Sequence, residues 1–418
     1  MYALPEMTLQ ADVVVIGGGP GGSSVAGCLA RRGRSVIVLE KERFPRFHIG
    51  ESLLPRSLEV FAHLGVLDEL EQTFLRKPGA RFLCSATRRT NQYLFRDAFG
   101  GGFPYAFQVP RADFDHVLLK HAARLGADVR EQTEVTEIVR DDRGRPVGVV
   151  GKDASGARFE VSARFLVDAT GRDTLLTSGR PEAKSLLPRL DQSAFFTHYQ
   201  GAFRQHGELE GNIQIIVFEH GWFWLIPFRG DVASFGAVCN RSWVKTKRQD
   251  ETLESFFDRT VAESCWATEM LSGATRVRPV GALADFSYRV TDMRGDGWLK
   301  VGDASGFIDP LFSTGAHLAI KGGYEAAVAI DDALTANDVS SARFDTYEKR
   351  VRYAAELFLG AVQAFYRGEL RELLFLEPQR PTLRRTITSM LAGDTFHDKP
   401  PTWARFLKER FPPELRAS

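Results

Sequence analysis

The sequence predicts an α/β chain in which a parallel-sheet domain built from βαβ units is interleaved with an antiparallel β-sheet domain and followed by a helical C-terminal region. Three observations predict it. A strand, a glycine-rich turn, a helix and a second strand follow one another within residues 12–40, and a further strand runs into an acidic, glycine-rich turn at Gly302. Between them lie alternating, aromatic-rich segments. At 418 residues the chain exceeds one average domain, and its length suits two interleaved domains sharing one large core.

Asp12–Ile16 is a short apolar, β-branched run ending in glycines, the pattern of a buried parallel strand. Gly22–Arg32 carries small residues and Leu29 in helical register, and Ser35–Glu40 is a second buried strand. Asp113–Gly126 predicts an amphipathic helix, with Phe114, Val117, Leu118 and Leu125 on one side and a terminating glycine. Glu134–Val150 and Arg158–Val161 alternate around the turn Asp141–Gly144 as a meander does. Arg164–Gly171 predicts another buried strand, and Gln192–Val290, rich in aromatics, an antiparallel sheet. Trp298–Ala304 predicts one more strand and Ala316–Leu334 a helix; from Phe344 onward the tail is helical. The predicted segments are 1–80, 106–190 and 278–340 for the nucleotide domain, 81–105 and 191–277 for the covering sheet, and 341–418 for the helical region.

With 54 basic against 53 acidic residues, the chain has no field for capturing nucleic acid or an anionic membrane surface. A small, weakly charged substrate, or a partner met at one local patch, fits better. The four cysteines (Cys28, Cys84, Cys239, Cys265) show no CxxC or metal-ligand spacing, so neither a disulfide framework nor a metal site is expected, and a reducing cytoplasm is the default compartment. Ala11–Ala30 is apolar but broken by five glycines and a proline within 17–22, which suits neither a signal peptide nor a membrane helix; no stable membrane insertion is expected.

Gly17, Gly19 and Gly22 satisfy G-x-G-x-x-G at the junction of strand and helix. Glycines are needed there because the backbone must turn sharply and approach a pyrophosphate, whose charge is met by free amides and the helix dipole. Glu40 follows Gly17 by 23 residues, at the end of the second strand, where a carboxylate can accept hydrogen bonds from ribose hydroxyls. A dinucleotide is the expected ligand.

The late segment WLKVGDASGFIDPLFSTGAHLA, with Gly302-Asp303 at its turn, resembles the p-hydroxybenzoate hydroxylase-like flavoproteins. The resemblance implies FAD, with Asp303 on the ribityl chain and Arg111, in QVPRADFD, at a flavin-contacting position. The fold class is then a Rossmann-like FAD-binding domain interleaved with an antiparallel β-sheet substrate domain. No second strand-GxGxxG-helix unit follows, so reducing equivalents come either through a transient NAD(P)H site or as FADH2 from a partner flavin reductase.

Three further segments resemble flavin-dependent halogenases of the phenol and pyrrole type. GWFWLIP (221–227) contains WxWxIP, and Trp222 and Trp224, alternating on a strand, point to one face. FPRFHIGESLLP (44–55) is similar to the family's flavin-contacting loop after the second strand, implying flavin contacts from Arg46 and Ser52. In FLRKPGARF (74–82), Lys77 matches the family's essential lysine. Ser313, Thr314 and Gly315 follow Asp309-Pro310, and successive amides in such a turn can hold an anion, here halide. Phe312 stands where the tryptophan halogenases have glutamate, which disfavours free tryptophan.

The resemblance implies a mechanism. Reduced FAD and oxygen would convert halide at Ser313–Gly315 into hypohalous acid, Trp222 and Trp224 would keep the organic substrate off the flavin, and Lys77 would deliver the oxidant to an electron-rich phenol or pyrrole, free or tethered to an acyl or peptidyl carrier protein. The alternatives on the same fold are an aromatic hydroxylase and a geranylgeranyl-reductase-like flavin reductase.

Overall fold

The structure is a computed structural model that describes residues 8–177, 183–247, 251–397 and 399–414, so the outermost ends of the predicted domain segments lie outside the described residues. β1 (Thr8–Ile16) carries Val13, Val14 and Val15 fully buried, as a strand covered on both faces must. It pairs in parallel with β2 (Val36–Leu39) and β10 (Arg158–Asp168). β7 (Asp128–Arg130) extends the sheet beyond β2, and β20 (Trp298–Lys300) beyond β10, with β19 (Arg294–Gly295) antiparallel at that edge. The meander β8 (Glu134–Arg140) and β9 (Pro146–Lys152) adds antiparallel strands to β10. Helix α1 (Pro20–Arg31) packs against α2 (Leu58–Leu64), α4 (Arg111–Arg124) and α8 (Thr314–Thr335); α3 (Leu67–Thr73) follows α2 directly.

A second large sheet has the order β16-β12-β15-β14-β13-β4-β5, with β17 beside β12. Its strands are β4 (Gly79–Cys84), β5 (Thr90–Leu94), β12 (Gln192–Gln200), β13 (Ile213–Phe218), β14 (Gly221–Pro227), β15 (Val232–Asn240), β16 (Thr275–Arg276) and β17 (Gly281–Ala284). Two small ladders fill the seam between the sheets: β3 (Leu75–Lys77) with β6 (Ala106–Gln108), and β11 (Lys184–Leu186) with β18 (Tyr288–Val290) and β21 (Gly306–Phe307). Helix α9 (Asp345–Arg367) leads the helical C-terminal region.

Several expectations are refined by the backbone. The second sheet is antiparallel except where β13 runs parallel to β4, because the chain crosses the first sheet between them and a parallel pair needs such a crossover. The segment expected as continuous sheet includes helices α5 (Arg241–Lys247), α6 (Leu253–Ala262) and α7 (Cys265–Met270), whose apolar side chains, led by Phe256 and Phe257, cover one face of that sheet. The strands expected at 158–161 and 164–171 are one strand, β10. The strand expected over Trp298–Ala304 stops at Lys300, because Gly302 turns the chain at φ +61° into a short helical turn, Gly302–Ser305. Helix α1 begins two residues early, at Pro20, whose fixed φ and missing N–H suit a first helical position.

β14 separates two apolar clusters. Trp222, Trp224 and Ile226 join the core shared with the first sheet and α9, whereas Phe223 and Leu225 join the cluster beneath α6. The strand alternation expected of the two indoles is therefore realised. Among the described residues no helix is long and apolar enough to cross a membrane.

Candidate functional site

The turn between β1 and α1 cannot take side chains. Gly17 sits at φ +106°, and a Cβ there would lie 2.4 Å from the Ala169 carbonyl oxygen; a Cβ on Gly22 would lie 2.0 Å from the Gly17 carbonyl. At Gly19 the protein leaves space: a Cβ there would meet only the Arg46 guanidinium, at 3.7 Å. That open, amide-lined recess beside a cation fits a pyrophosphate. Glu40, 5% exposed, accepts a hydrogen bond from the Gly18 amide at 2.7 Å, which fixes a carboxylate beside the turn.

The loop after β2 is anchored to α4 through a carboxylate that the sequence motifs did not flag. Asp115 is fully buried and receives Arg111 at 2.7 and 2.9 Å and Arg46 at 2.9 Å. Burial alone would raise its pKa, but the two guanidinium groups hold the carboxyl below the usual range. Arg111 also donates to the Ile49 carbonyl at 2.9 Å, so much of its hydrogen-bonding capacity goes to tying the loop to the helix. Its position in the sequence, four residues before an aspartate on a helix, is the signal that finds this pair. Ser52 is buried and its hydroxyl has no hydrogen-bond partner, an orphan that a ligand polar group can satisfy. Asp303 lies at the next bend; burial pushes its carboxyl up to about 6 against the pull of Arg111, Arg172 and Lys184. Gly19 and Glu40 thus adjoin one turn with Arg46 beside it, Arg46 and Arg111 share Asp115, and Arg111 acts on the charge of Asp303, a set whose chemistry suits FAD.

Lys77 ends β3, and its side chain turns inward rather than into solvent. It is 2% exposed, donates from Nζ to the Leu53 carbonyl at 3.0 Å, and stands 5.4 Å from the Phe95 ring centre. Burial pulls its pKa down to about 7. It lines a small cavity together with Leu54, Phe95, Ile215, Phe312 and Ser313. The predicted lysine and the predicted halide loop therefore meet.

That loop has a defined geometry. Ser313 adopts a left-handed conformation at φ +57°, and its amide donates to the Pro310 carbonyl at 3.0 Å, so this amide serves the turn. Thr314 and Gly315 open α8, where N–H groups have no intrahelical acceptor and the helix dipole favours an anion. Gly315 must be small: a Cβ would press 2.7 Å from the Phe307 ring.

The indoles are buried and pinned. Trp222, 1% exposed, donates to the Tyr366 hydroxyl at 3.0 Å; Trp224, 4% exposed, donates to the Ser234 hydroxyl at 3.0 Å. Their ring centres are 5.9 Å apart. Sequence motifs did not find Tyr366, Asp309 or the pair formed by Glu51 with His198 Nε2 at 3.0 Å, because each depends on a contact between segments distant in the chain.

Residues 10–360 match the family model described as an FAD binding domain. The chain is 31% identical over 412 residues to the 1H-pyrrole-2-carbonyl peptidyl-carrier-protein chlorinase of Pseudomonas fluorescens, spanning 93% of this chain and 90% of that protein. It is 33% identical over 341 residues to the tryptophan 2-halogenase of Chondromyces crocatus, spanning 81% of this chain and 64% of that protein. The structure of the flavin-dependent brominase Bmp2 superposes with a TM-score of 0.85 at 28% identity, covering 96% of this chain and 98% of that one. These likenesses favour halogenation over the hydroxylase and reductase alternatives. The chain belongs to the flavin-dependent halogenases, FAD-binding oxidoreductases that use reduced FAD and halide.

Proposed function

We propose that this halogenase acts on an electron-rich, five-membered nitrogen ring presented on a peptidyl carrier protein, with FADH2 supplied by a separate flavin reductase. The observation that carries the site assignment is that Lys77 and Ser313 line one buried cavity. Two likenesses support the ring: one relative is a pyrrole chlorinase, the other halogenates tryptophan at position 2, which is a pyrrole-ring carbon. Phe312, buried where the tryptophan halogenases have a glutamate, supports a substrate other than free tryptophan.

Bound reduced FAD, with oxygen, supplies the oxidising power that turns halide into hypohalous acid. Gly17, Gly19 and Arg46 receive the pyrophosphate, Glu40 the ribose, and Ser52, Arg111 and Asp303 line the remainder of the flavin seam. Thr314 and Gly315 hold the halide through their amides, and Ser313 sets the turn that aims them. Trp222 and Trp224 wall the organic substrate away from the flavin. Lys77, in a water-poor cavity, holds the oxidised halogen by hydrogen bonding or as a haloamine and presents it to the ring carbon, which is itself the nucleophile. In the net substitution the ring gains halogen and loses a proton.

Intact-mass analysis of a pyrrole-2-carbonyl carrier protein after reaction with reduced FAD, oxygen and bromide tests this. Replacement of ring hydrogen by bromine on the carrier-bound substrate, with free pyrrole-2-carboxylic acid and free phenols unreacted, is the expected result. Bromination of the free acids but not the carrier-bound ring would refute the tethered-substrate proposal.

A further inference from the structure

The Asp309 carboxylate, at the start of the halide loop, accepts from the Leu311 amide at 2.9 Å on one oxygen and from the Tyr366 hydroxyl at 3.0 Å on the other. Tyr366 in turn accepts from the Trp222 indole N–H at 3.0 Å. Three elements meet at this one hydroxyl: the loop before α8, the indole strand β14 and the last turn of α9. The neighbouring Phe365 packs edge-on against Phe312 of the same loop, with ring centres 6.3 Å apart, so two successive residues of α9 clamp it. The Thr314 hydroxyl lies 3.4 Å from the Asp309 carbonyl, joining the two ends of the loop. Asp309 is fully buried and Trp222 nearly so. Tyr366 between them is half-buried, so the two ends of this hydrogen-bonded chain are desolvated at a cost and depend on the Tyr366 hydroxyl for a partner.

We propose that Tyr366 is a positioning residue that couples halide occupancy of the loop to the indole wall, an inference that rests on the halide assignment above. The donors all point one way, indole N–H to phenol oxygen, phenol O–H to carboxylate, so the chain polarises as a unit. Burial pushes the Asp309 carboxyl up to about 7, so the coupling operates, and is tested, well above pH 8, where the group is ionised; there an anion held by the amides of Thr314 and Gly315 raises the energy of that charge and makes it a stronger acceptor. Tyr366 then donates more strongly, and its oxygen accepts more strongly from Trp222. The wall is tightened when halide is present, before any oxidant forms. Tyr366 touches neither halide nor substrate in this scheme; it acts through Asp309 and Trp222.

The test uses the flavin-loaded resting enzyme, labelled with ¹⁵N, and a bromide titration against a gluconate control at constant ionic strength. The Trp222 indole resonance is assigned by its loss in Trp222→Phe. Bromide is expected to shift it downfield with the same midpoint as the backbone amides of Thr314 and Gly315. In Tyr366→Phe the indole resonance should lie upfield and stop responding, while the two amides still titrate. A second variant, Asp309→Asn, keeps the shape and the Leu311 contact but removes the charge, and should also abolish the indole response. In turnover, Tyr366→Phe should lower halogenated product per flavin oxidised while flavin oxidation continues. An indole response that persists in both variants overturns the coupling. So does a wild-type indole that stays still while the amides titrate. Amides that do not respond at all remove the halide site itself, and the coupling with it.

Discussion

Lys77 and Ser313 face one buried cavity from segments far apart in the chain, the lysine from the end of β3 and the serine from the turn that starts α8. Apart from the Leu53 carbonyl, the ammonium is surrounded mainly by apolar side chains, so it has little to do structurally that a methionine would not do better. Lys77→Met should lower halogenation by roughly a hundredfold or more, the usual loss when one group stabilising the reacting atoms is removed. Flavin should stay bound and be reoxidised by oxygen at the wild-type rate. Halogenated product at the wild-type yield would exclude Lys77 from the mechanism.

The same burial makes a stability prediction with a definite sign. The Lys77 pKa falls from its ordinary value to about 7 in the folded protein, so between about pH 7 and 10.5 the unfolded chain binds more protons than the folded one. The cost of burying this lysine is complete below pH 7 and fades as pH rises towards 10.5. Lys77→Met should therefore raise Tm, most at pH 6 to 7 and least near pH 10. A Tm difference that is flat across this range in parallel thermal melts would show that the ammonium is not desolvated.

The dinucleotide turn separates fold from ligand. A Cβ on Gly22 collides with backbone inside the turn, whereas one on Gly19 meets nothing closer than the Arg46 guanidinium at 3.7 Å. Gly19→Val should keep most of the wild-type Tm but lose flavin on desalting, because its side chain fills the pyrophosphate's place. Gly22→Ala should lose both, since backbone cannot yield as a side chain does. Flavin retained stoichiometrically by Gly19→Val would move the pyrophosphate elsewhere.

How much of this was legible in the residues follows from the range of each signal. The turn at Gly17–Gly22, the strands flanking it and the facing of Trp222 and Trp224 are local: each depends on spacing within one or two elements, and each is realised. Helices α5 to α7 escaped because their aromatics, Phe256 and Phe257, serve equally as strand or helix core residues, and burial against β14 and β15 decides between them. Asp309 and Tyr366 escaped because a carboxylate or phenol gains its meaning from a partner that the chain brings in from afar, and of Asp115 only the Arg111 spacing was legible, not its burial or its distant partner Arg46. Lys77 was legible only as part of a motif; its sequence context, before Pro-Gly, is that of a solvated turn, and only the packing of Leu54, Phe95 and Phe312 around it makes it a buried amine.

Arg111 is a structural clamp before it is a ligand contact. Arg111→Ala leaves Asp115 fully buried with Arg46 as its remaining ion-pair partner, and breaking one side of a buried pair costs about 3–5 kcal/mol. Urea denaturation should register most of that loss, and the loop carrying Ile49, Gly50 and Ser52 should become protease-sensitive. Arg111→Lys keeps the charge but not the two-pronged contact and should fall between. Stability within about 0.5 kcal/mol of wild type for Arg111→Ala would mean that the clamp is not formed.

The wall can be tested without touching an indole. Gly236 on β15 lies under Trp224: a Cβ there would come within 2.3 Å of the indole ring and 2.6 Å of the Phe195 carbonyl oxygen. Gly236→Ala therefore displaces the ring or strains the strand, and either way opens the partition. Ser234→Ala is the gentler variant, removing only the hydroxyl that accepts from Trp224 at 3.0 Å and leaving a buried N–H unsatisfied, a cost of about 1–3 kcal/mol. Both should retain FAD and consume oxygen, yet yield less halogenated product per flavin oxidised, with the missing oxidant appearing as hypohalous acid captured by a small trapping reagent in bulk solvent. The loss should be larger for Gly236→Ala than for Ser234→Ala, because one moves the ring and the other only loosens it. If both variants couple flavin oxidation to halogenation as tightly as the wild type, Trp224 is core packing and the partition lies elsewhere.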